Sequence, residues 1–323
     1  MEIKSKNIIV TGGAGFIGSN LVELLVSKGN DVTVIDNLST GEGDRFIRHL
    51  INNKGIKFVK GDITKTEDLK VFKNKDMVVH LAANSDVRHG FENPEVDYRN
   101  NMLGTFNILE AMRKYDVREL LFSSSSTVYG EAKQLPTPEE YGPLLPISSY
   151  GASKLAAEAM ISAYAHYYGI RSSIFRFANV VGRNSTHGII YDFINKLKKN
   201  TRRLEILGDG TQRKSYIHVS DCIGAMLFAH EKTKIVDIYN LGNEGTTSVM
   251  EIADIVIEKM HLGNVEKVLV KTEDEKGGGW KGDVKIAELA VKKLLSLGWK
   301  NKYSSREAVE KAVEETLLQI GKT

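Results

Sequence analysis

Tyr150 and Lys154 lie one helical turn apart in Ser148-Ser149-Tyr150-Gly151-Ala152-Ser153-Lys154. On a helix opened by serines, their side chains share a face. A free phenol, pKa about 10, is only about 0.1% ionised at pH 7, but a neighbouring ammonium favours the phenolate and makes Tyr150 a usable general base. Taken alone, the pair reads equally well as a surface contact worth a few tenths of a kcal/mol. The residues that accompany it decide between these readings.

A glycine-rich turn, Thr11-Gly12-Gly13-Ala14-Gly15-Phe16-Ile17-Gly18, follows the apolar run Asn7 to Thr11 and opens an amphipathic segment. In that context Gly12 permits a tight strand-to-helix turn and Gly15 lets backbone approach a pyrophosphate at the helix N-terminus. Gly18 then lets helix pack close to sheet. The next strand ends in Ile35-Asp36, where a carboxylate accepts hydrogen bonds from an adenosine ribose diol. Asp36 also repels a 2′-phosphate, and neither Asn37 nor Leu38 offsets it with a basic side chain. The expected cofactor is NAD rather than NADP, and its positive nicotinamide ring adds to Lys154 in favouring the Tyr150 phenolate.

The elements that must position these groups follow an alternating rhythm. Asn7 to Thr11, Val32 to Ile35, Ile56 to Val59, Met77 to Leu81, Glu119 to Ser123 and Ser172 to Phe175 read as buried strands. Phe16 to Lys28 and Asp97 to Tyr115 carry apolar stripes at helical spacing. This predicts an α/β fold: a Rossmann-type doubly wound parallel sheet followed by a smaller mixed α/β C-terminal lobe. Residues 1–180 form the expected NAD-binding domain, to which a segment of about 215–245 returns, and 181–323 mainly form the substrate lobe. In that lobe helices are expected at Ile189 to Lys199, from Ser220, and at Ser248 to Met260, Ile286 to Leu297 and Ser305 to Ile320. Thr272 to Gly282 reads as a mobile surface loop.

Composition excludes several classes. Lys and Arg total 44 against 41 Asp and Glu, dispersed along the chain, so the basic footprint of a nucleic-acid binder is missing. Cys222 is the single cysteine, which rules out an internal disulfide and, without paired Cys/His spacing, speaks against a metal site. No apolar stretch approaches the roughly 18 residues of a membrane span, and residues 1–6 lack the features of a signal peptide. The expectation is a cytoplasmic enzyme in a reducing compartment, without metal, membrane or nucleic-acid partner.

Motifs in order along almost the whole chain resemble the extended short-chain dehydrogenase/reductase superfamily and, within it, the NAD-dependent epimerases and dehydratases of sugar nucleotides. They comprise TGGAGFIG, VIDN, Gly61-Asp62-Ile63, His80-Leu81-Ala82-Ala83, Asn101 with Gly104-Thr105, FSSSSTVYG, YGASK, Arg176-Phe177-Ala178-Asn179, Gly208-Asp209-Gly210 and Leu297-Gly298-Trp299. The resemblance implies a catalytic set of Ser125, Tyr150 and Lys154. It implies cofactor contacts from Gly12, Gly15, Phe16, Ile17, Gly18, Asp36, Asn37, Asp62, Ile63, Leu81, Ala82, Ala83, Ser123 and Phe177. Asn179 and Lys214 are implied to meet the phosphates of a UDP-sugar, Gly188, Ile189, Ile190 and Tyr191 its uracil, and Arg88 its sugar. A homodimer through helices around 93–115 and 150–168 is likewise implied.

Two positions after Ser125 narrow the reaction. Dehydratase relatives place an Asp-Glu pair there, because elimination needs an added acid and base; here stand Ser126 and Thr127. The resemblance therefore implies epimerisation at carbon 4 of UDP-glucose or UDP-galactose through a transient 4-keto sugar. UDP-glucuronate and UDP-N-acetylhexosamine epimerases are the alternatives, and an oxidoreductase or dehydratase is a further one. Arg88, Arg183 and His187 could read a carboxylate, and small Ala287 leaves room for an N-acetyl group. The chain also departs from the pattern: Lys214 replaces an expected Arg, and no Arg precedes Gly282-Asp283, where Lys281 is the available cation.

Overall fold

The structure, a computed structural model, describes residues 3–40, 42–272, 277–279 and 283–321. Strands β1 (Asn7–Thr11), β2 (Asp31–Asp36), β3 (Ile56–Lys60), β4 (Met77–His80), β5 (Glu119–Ser125), β6 (Arg171–Phe177) and Val236–Leu241 form one sheet. Its order is Val236–Leu241, β6, β5, β4, β1, β2, β3. The β1 strand pairs in parallel with β2 (Val10 opposite Val34) and with β4 (Val10 opposite Val79). The order in which successive strands are added therefore reverses at β1, and the carboxyl ends of β1 and β4 flank the crevice that such a switch creates. Ile8, Ile9, Val10, Val32, Val34 and Ile35 are fully buried, as unalternated apolar strands of a covered parallel sheet must be.

Helix α1 (Phe16–Ser27) buries Leu21, Val22 and Leu25. One apolar core of the sheet side gathers Ile9, Val78, Phe122, Ile108, Leu109 and Ile161. A second core, around Phe193, Ile194, Leu204, Ile252, Val256, Ala308 and Val313, sits in the C-terminal part. The chain accordingly forms two compact units. Unit 1 comprises Met1–Gly130, Gly142–Arg176 and Ile223–Tyr239; unit 2 comprises Glu131–Tyr141, Phe177–Cys222 and Asn240–Thr323.

Two expected helices differ. The one expected from Asp97 starts at Pro94, where the ring suits the first helical turn, runs through a π-helical segment Tyr98–Leu103 and continues as Gly104–Tyr115. The one expected over Ile286 to Leu297 shrinks to Lys292–Ser296, because Ile286 and Ala287 pair in parallel with Arg213 and Lys214. Of the loop expected from Thr272 to Gly282, residues 273–276 and 280–282 lie outside the described residues, and with them Lys281. Among the described residues no helix is long and apolar enough to cross a membrane, and no group of His, Cys, Asp or Glu could hold a metal.

Candidate active site

The glycine turn is held by the Gly12 amide donating to the Ile35 carbonyl at 3.0 Å. Gly12 has φ +70°, and a Cβ there would come within 2.7 Å of the Ala82 nitrogen, so the position needs glycine for both conformation and space. Gly18 packs on the turn itself rather than on the sheet: its Cβ would lie 2.2 Å from the Gly12 carbonyl oxygen. Close approach to the sheet falls instead to Gly13, whose Cβ would meet Val34 Cγ1 at 2.7 Å. A Cβ on Gly15, the N-cap of α1, would touch only Gly12 oxygen, at 3.4 Å. No side chain caps α1 and no acidic residue stands in its first turn, so the amides around Phe16 and Ile17 suit an anion.

Asp36 Oδ2 accepts from the Ala14 amide at 3.0 Å and Oδ1 from Leu38 at 2.8 Å. Burial raises its pKa against these two bonds. Each oxygen retains lone-pair capacity for a ribose hydroxyl. The Asn37 side chain hydrogen-bonds Asp62, whose Oδ1 also accepts from the Thr64 amide and hydroxyl, both at 2.8 Å. Burial pushes Asp62 up, yet these bonds together hold its pKa below the usual value. Ile63 is buried against Gly104, and Leu81, Ala82 and Ala83 are partly open where β4 ends.

Beneath them runs a polar chain that sequence reasoning missed. The Ala82 amide donates to Thr11 Oγ1 at 3.2 Å, and Thr11 meets His80 Nδ1 at 2.8 Å. His80 Nε2 meets Thr105 Oγ1 at 3.0 Å, and Thr105 donates its proton to the Asn101 carbonyl at 2.6 Å. Since Thr105 spends its only proton there, His80 must carry hydrogen on Nε2 and accept from Thr11 on Nδ1. Burial, then Lys154, depress the His80 pKa, so the ring is neutral.

The helix Ser149–Tyr168 is capped by Ser148, whose hydroxyl accepts the Gly151 amide at 3.1 Å. A Cβ on Gly151 would lie 2.7 Å from the Thr127 carbonyl oxygen, so glycine brings this helix against the end of β5. Tyr150 and Lys154 thereby join Ser123 and Ser125 in unit 1. Ser125 hydrogen-bonds Tyr150 and itself accepts from the Thr127 amide at 3.2 Å and hydroxyl at 3.0 Å. Thr127, read from the sequence only as unable to move a proton, therefore orients Ser125. Ser123 lends Lys154 its carbonyl and donates its own hydroxyl to the His80 carbonyl at 3.1 Å.

Lys154 is 2% exposed. Its Nζ donates to the Ser123 carbonyl at 2.8 Å and stands 4.9 Å and 5.9 Å from the ring centres of Phe122 and Tyr150. Burial pulls its pKa down to about 7, against Glu158 and Asp97, which favour the charge. Burial also pushes Tyr150 up to about 12, with the Ser125 bond opposing and Asp97 adding. Burial therefore keeps the proton on Tyr150, and the expected phenolate calls on the positive nicotinamide ring as well as on Lys154. An ammonium has three donors and the Ser123 carbonyl takes one. The remaining donors, the glycine cradle and Asp36 fit a nicotinamide dinucleotide.

Unit 2 holds the other expected residues. Phe177 is 8% exposed. The Asn179 amide donates to the Ser215 carbonyl at 3.2 Å, and its side-chain nitrogen reaches the same oxygen at 3.4 Å. Gly188, at φ +92°, is the N-cap of the helix Ile189–Lys199. Ile189 and Tyr191 are partly open, whereas Ile190 is 6% exposed in the apolar core, which leaves its side chain no role in touching a base. Lys214 Nζ pairs with Asp283 Oδ1 at 2.5 Å. In unit 1, Arg88 is exposed on Val87–Glu92.

Residues 8–242 match the model of the NAD dependent epimerase/dehydratase family. The chain belongs to this family. It is 42% identical to a crystal structure of UDP-galactose 4-epimerase, with a TM-score of 0.86 over 97% of this chain and 99% of that one. The Thermus thermophilus UDP-glucose 4-epimerase in complex with NAD is 31% identical, with a TM-score of 0.83 over 96% of this chain and 98% of that one. UDP-glucose 4-epimerase of Streptomyces lividans is 36% identical over 271 residues, 78% of this chain and 80% of its own length.

Proposed function

We propose that this protein is an NAD-dependent isomerase that inverts carbon 4 of a UDP-hexose, UDP-glucose or UDP-galactose, through a transient 4-keto sugar. The observation that carries the reading is the convergence of Tyr150, Ser125 and Lys154 beside the glycine cradle, with no acid-base pair after Ser125 to support elimination. NAD, when bound, supplies the hydride acceptor and the positive charge that offsets the burial of the Tyr150 phenolate.

The remaining work falls to side chains. Tyr150 takes the proton of the sugar 4-hydroxyl and later returns it, while Ser125, fixed by Thr127, holds that hydroxyl. Lys154 offers its open donors to the nicotinamide ribose and keeps positive charge beside Tyr150. In this reading unit 1 binds the cofactor; unit 2 binds the nucleotide sugar, with Asn179 and Lys214 at its phosphates. Tyr98, Phe106 and Tyr167 are 54%, 41% and 79% exposed, which supports a homodimer covering these helices. A cytoplasmic enzyme accords with the single, buried Cys222.

The test is incubation of the purified protein with UDP-glucose, UDP-galactose, UDP-N-acetylglucosamine and UDP-glucuronate in turn, with products read by proton NMR. Inversion of UDP-glucose or UDP-galactose at carbon 4 supports the reading. Turnover of UDP-glucuronate alone reassigns the sugar, and net NADH release with NAD restored would replace the isomerase with an oxidoreductase.

A further inference from the structure

Asp97 is 1% exposed and closes the short helix Pro94–Asp97. Its Oδ2 accepts the Ser149 hydroxyl at 2.6 Å, and its Oδ1 accepts the side-chain amides of Asn84 at 2.8 Å and Asn101 at 3.3 Å. All three donors are neutral. The site is closely fitted to a carboxylate, since a Cβ on Gly90 would fall 2.1 Å from Oδ2. A buried carboxylate served only by neutral donors is strongly disfavoured unless a positive charge lies within reach.

Lys154 has the complementary problem. It is a buried ammonium whose hydrogen-bond partner is a carbonyl, on the helix whose first residue, Ser149, binds Asp97. We infer that Asp97 is the remote counter-ion of Lys154, a positioning residue whose charge acts across Ser149 and Tyr150 to keep the buried ammonium protonated.

Among the other groups facing Lys154, none bears on both it and Tyr150. Glu158, one turn along the same helix, favours the Lys154 charge more than Asp97 does, but it is held by Arg176 of β6 through Nε at 3.0 Å and Nη2 at 2.7 Å and does not bear on Tyr150. From β4, His80 is neutral, and from β5, Ser123 and Phe122 carry no charge. Tyr150 is protonated in this state. Burial pulls the Lys154 pKa down and both Asp97 and Glu158 push it back up, and Asp97 simultaneously tightens the proton on Tyr150. Asp97 is therefore the carboxylate that bears on both groups.

The test is a double-variant cycle on the full chain: Asp97→Asn, Lys154→Met and both together, read as thermal midpoints. Asparagine keeps the shape and can donate to Ser149 Oγ, which leaves the single Ser149 proton to the Gly90 carbonyl at 2.9 Å. The expected result is a double-variant loss smaller than the sum of the single losses; simple additivity overturns the inference. A second arm, which rests on the epimerase reading, follows kcat against pH. Asp97→Asn should move the alkaline limb about one unit lower, a tenfold change in proton affinity. Ser149→Ala, which keeps the charge, should lower kcat without moving that limb. Equal shifts in both variants, or none in Asp97→Asn, overturn the inference. Coupled midpoints without turnover of any sugar count against the reaction assigned rather than against the ion pair. Should Asp97→Asn fail to fold, Asp97→Ser is put through the same cycle and judged by the same criterion.

Discussion

Lys154 in unit 1 and Lys214 in unit 2 are both drawn out of water, but their partners differ. Lys214 meets a carboxylate directly, Asp283 at 2.5 Å, whereas Lys154 meets a carbonyl and two ring faces. Direct pairing satisfies a charge and fixes it in place. The indirect arrangement around Lys154 leaves donors open and lowers the pKa to about 7, so its charge responds to whatever binds beside it. Under the proposed function, a reacting centre benefits from the second arrangement and a binding surface tolerates the first.

The comparison is broken most severely at Tyr150. Tyr150→Phe removes the proton carrier and should lower kcat by about 10²–10⁴-fold with fold and NAD affinity retained; near-normal turnover would sink the assignment. Gly12→Ala forces a side chain into a left-handed turn and against the Ala82 backbone. It should weaken NAD binding at least about tenfold and lower stability by roughly 1–2 kcal/mol or more, read by cofactor titration and urea melts.

Lys154 also marks the pH dependence of folding. Its folded pKa of about 7 lies below the usual 10.5, so between these values the unfolded chain binds more protons and stability rises with pH. Wild type should therefore gain on Lys154→Met as pH increases through that window, with a slope approaching about 1.4 kcal/mol per unit. Urea melts at a series of pH values check the sign. The smallest effect is expected in unit 2. Asp283→Asn releases Lys214, and KM for the nucleotide sugar should fall severalfold; an unchanged KM removes Lys214 from the phosphate site.

Much of unit 1 was legible because its signals are local. The glycine spacing, the carboxylate ending β2 and the Tyr-Lys pair each state their geometry within a few residues, and unalternated apolar runs announce a covered parallel sheet. What stayed hidden depends on residues distant in sequence. Thr11, His80, Thr105 and Asn101 form one chain only after β1, β4 and the helix beyond come together. The need for glycine at position 13 arises only where Val34 of β2 lies against it. Ile286 and Ala287 fit a helical stripe until a neighbouring strand offered them hydrogen bonds. The burial of Tyr150 stayed hidden for a related reason: charge can be read from residue type, whereas desolvation depends on everything packed around it.

The π-helical segment Tyr98–Leu103 sets a constraint on chain length. It widens the helix between Asp97 and Gly104, and Asn101 uses this stretch to reach both Asp97 and Ser153 Oγ, the latter at 2.9 Å. Deleting one residue here would let the backbone relax into an ordinary α-helix with its flanks nearly in register, since a π turn spends about one residue more than an α turn, but the side chains inside the stretch would be re-aimed. Substitutions in this stretch can be absorbed singly, but a one-residue deletion would turn Asn101 away from the catalytic helix, so the length of this segment is under tighter constraint than most of its side chains.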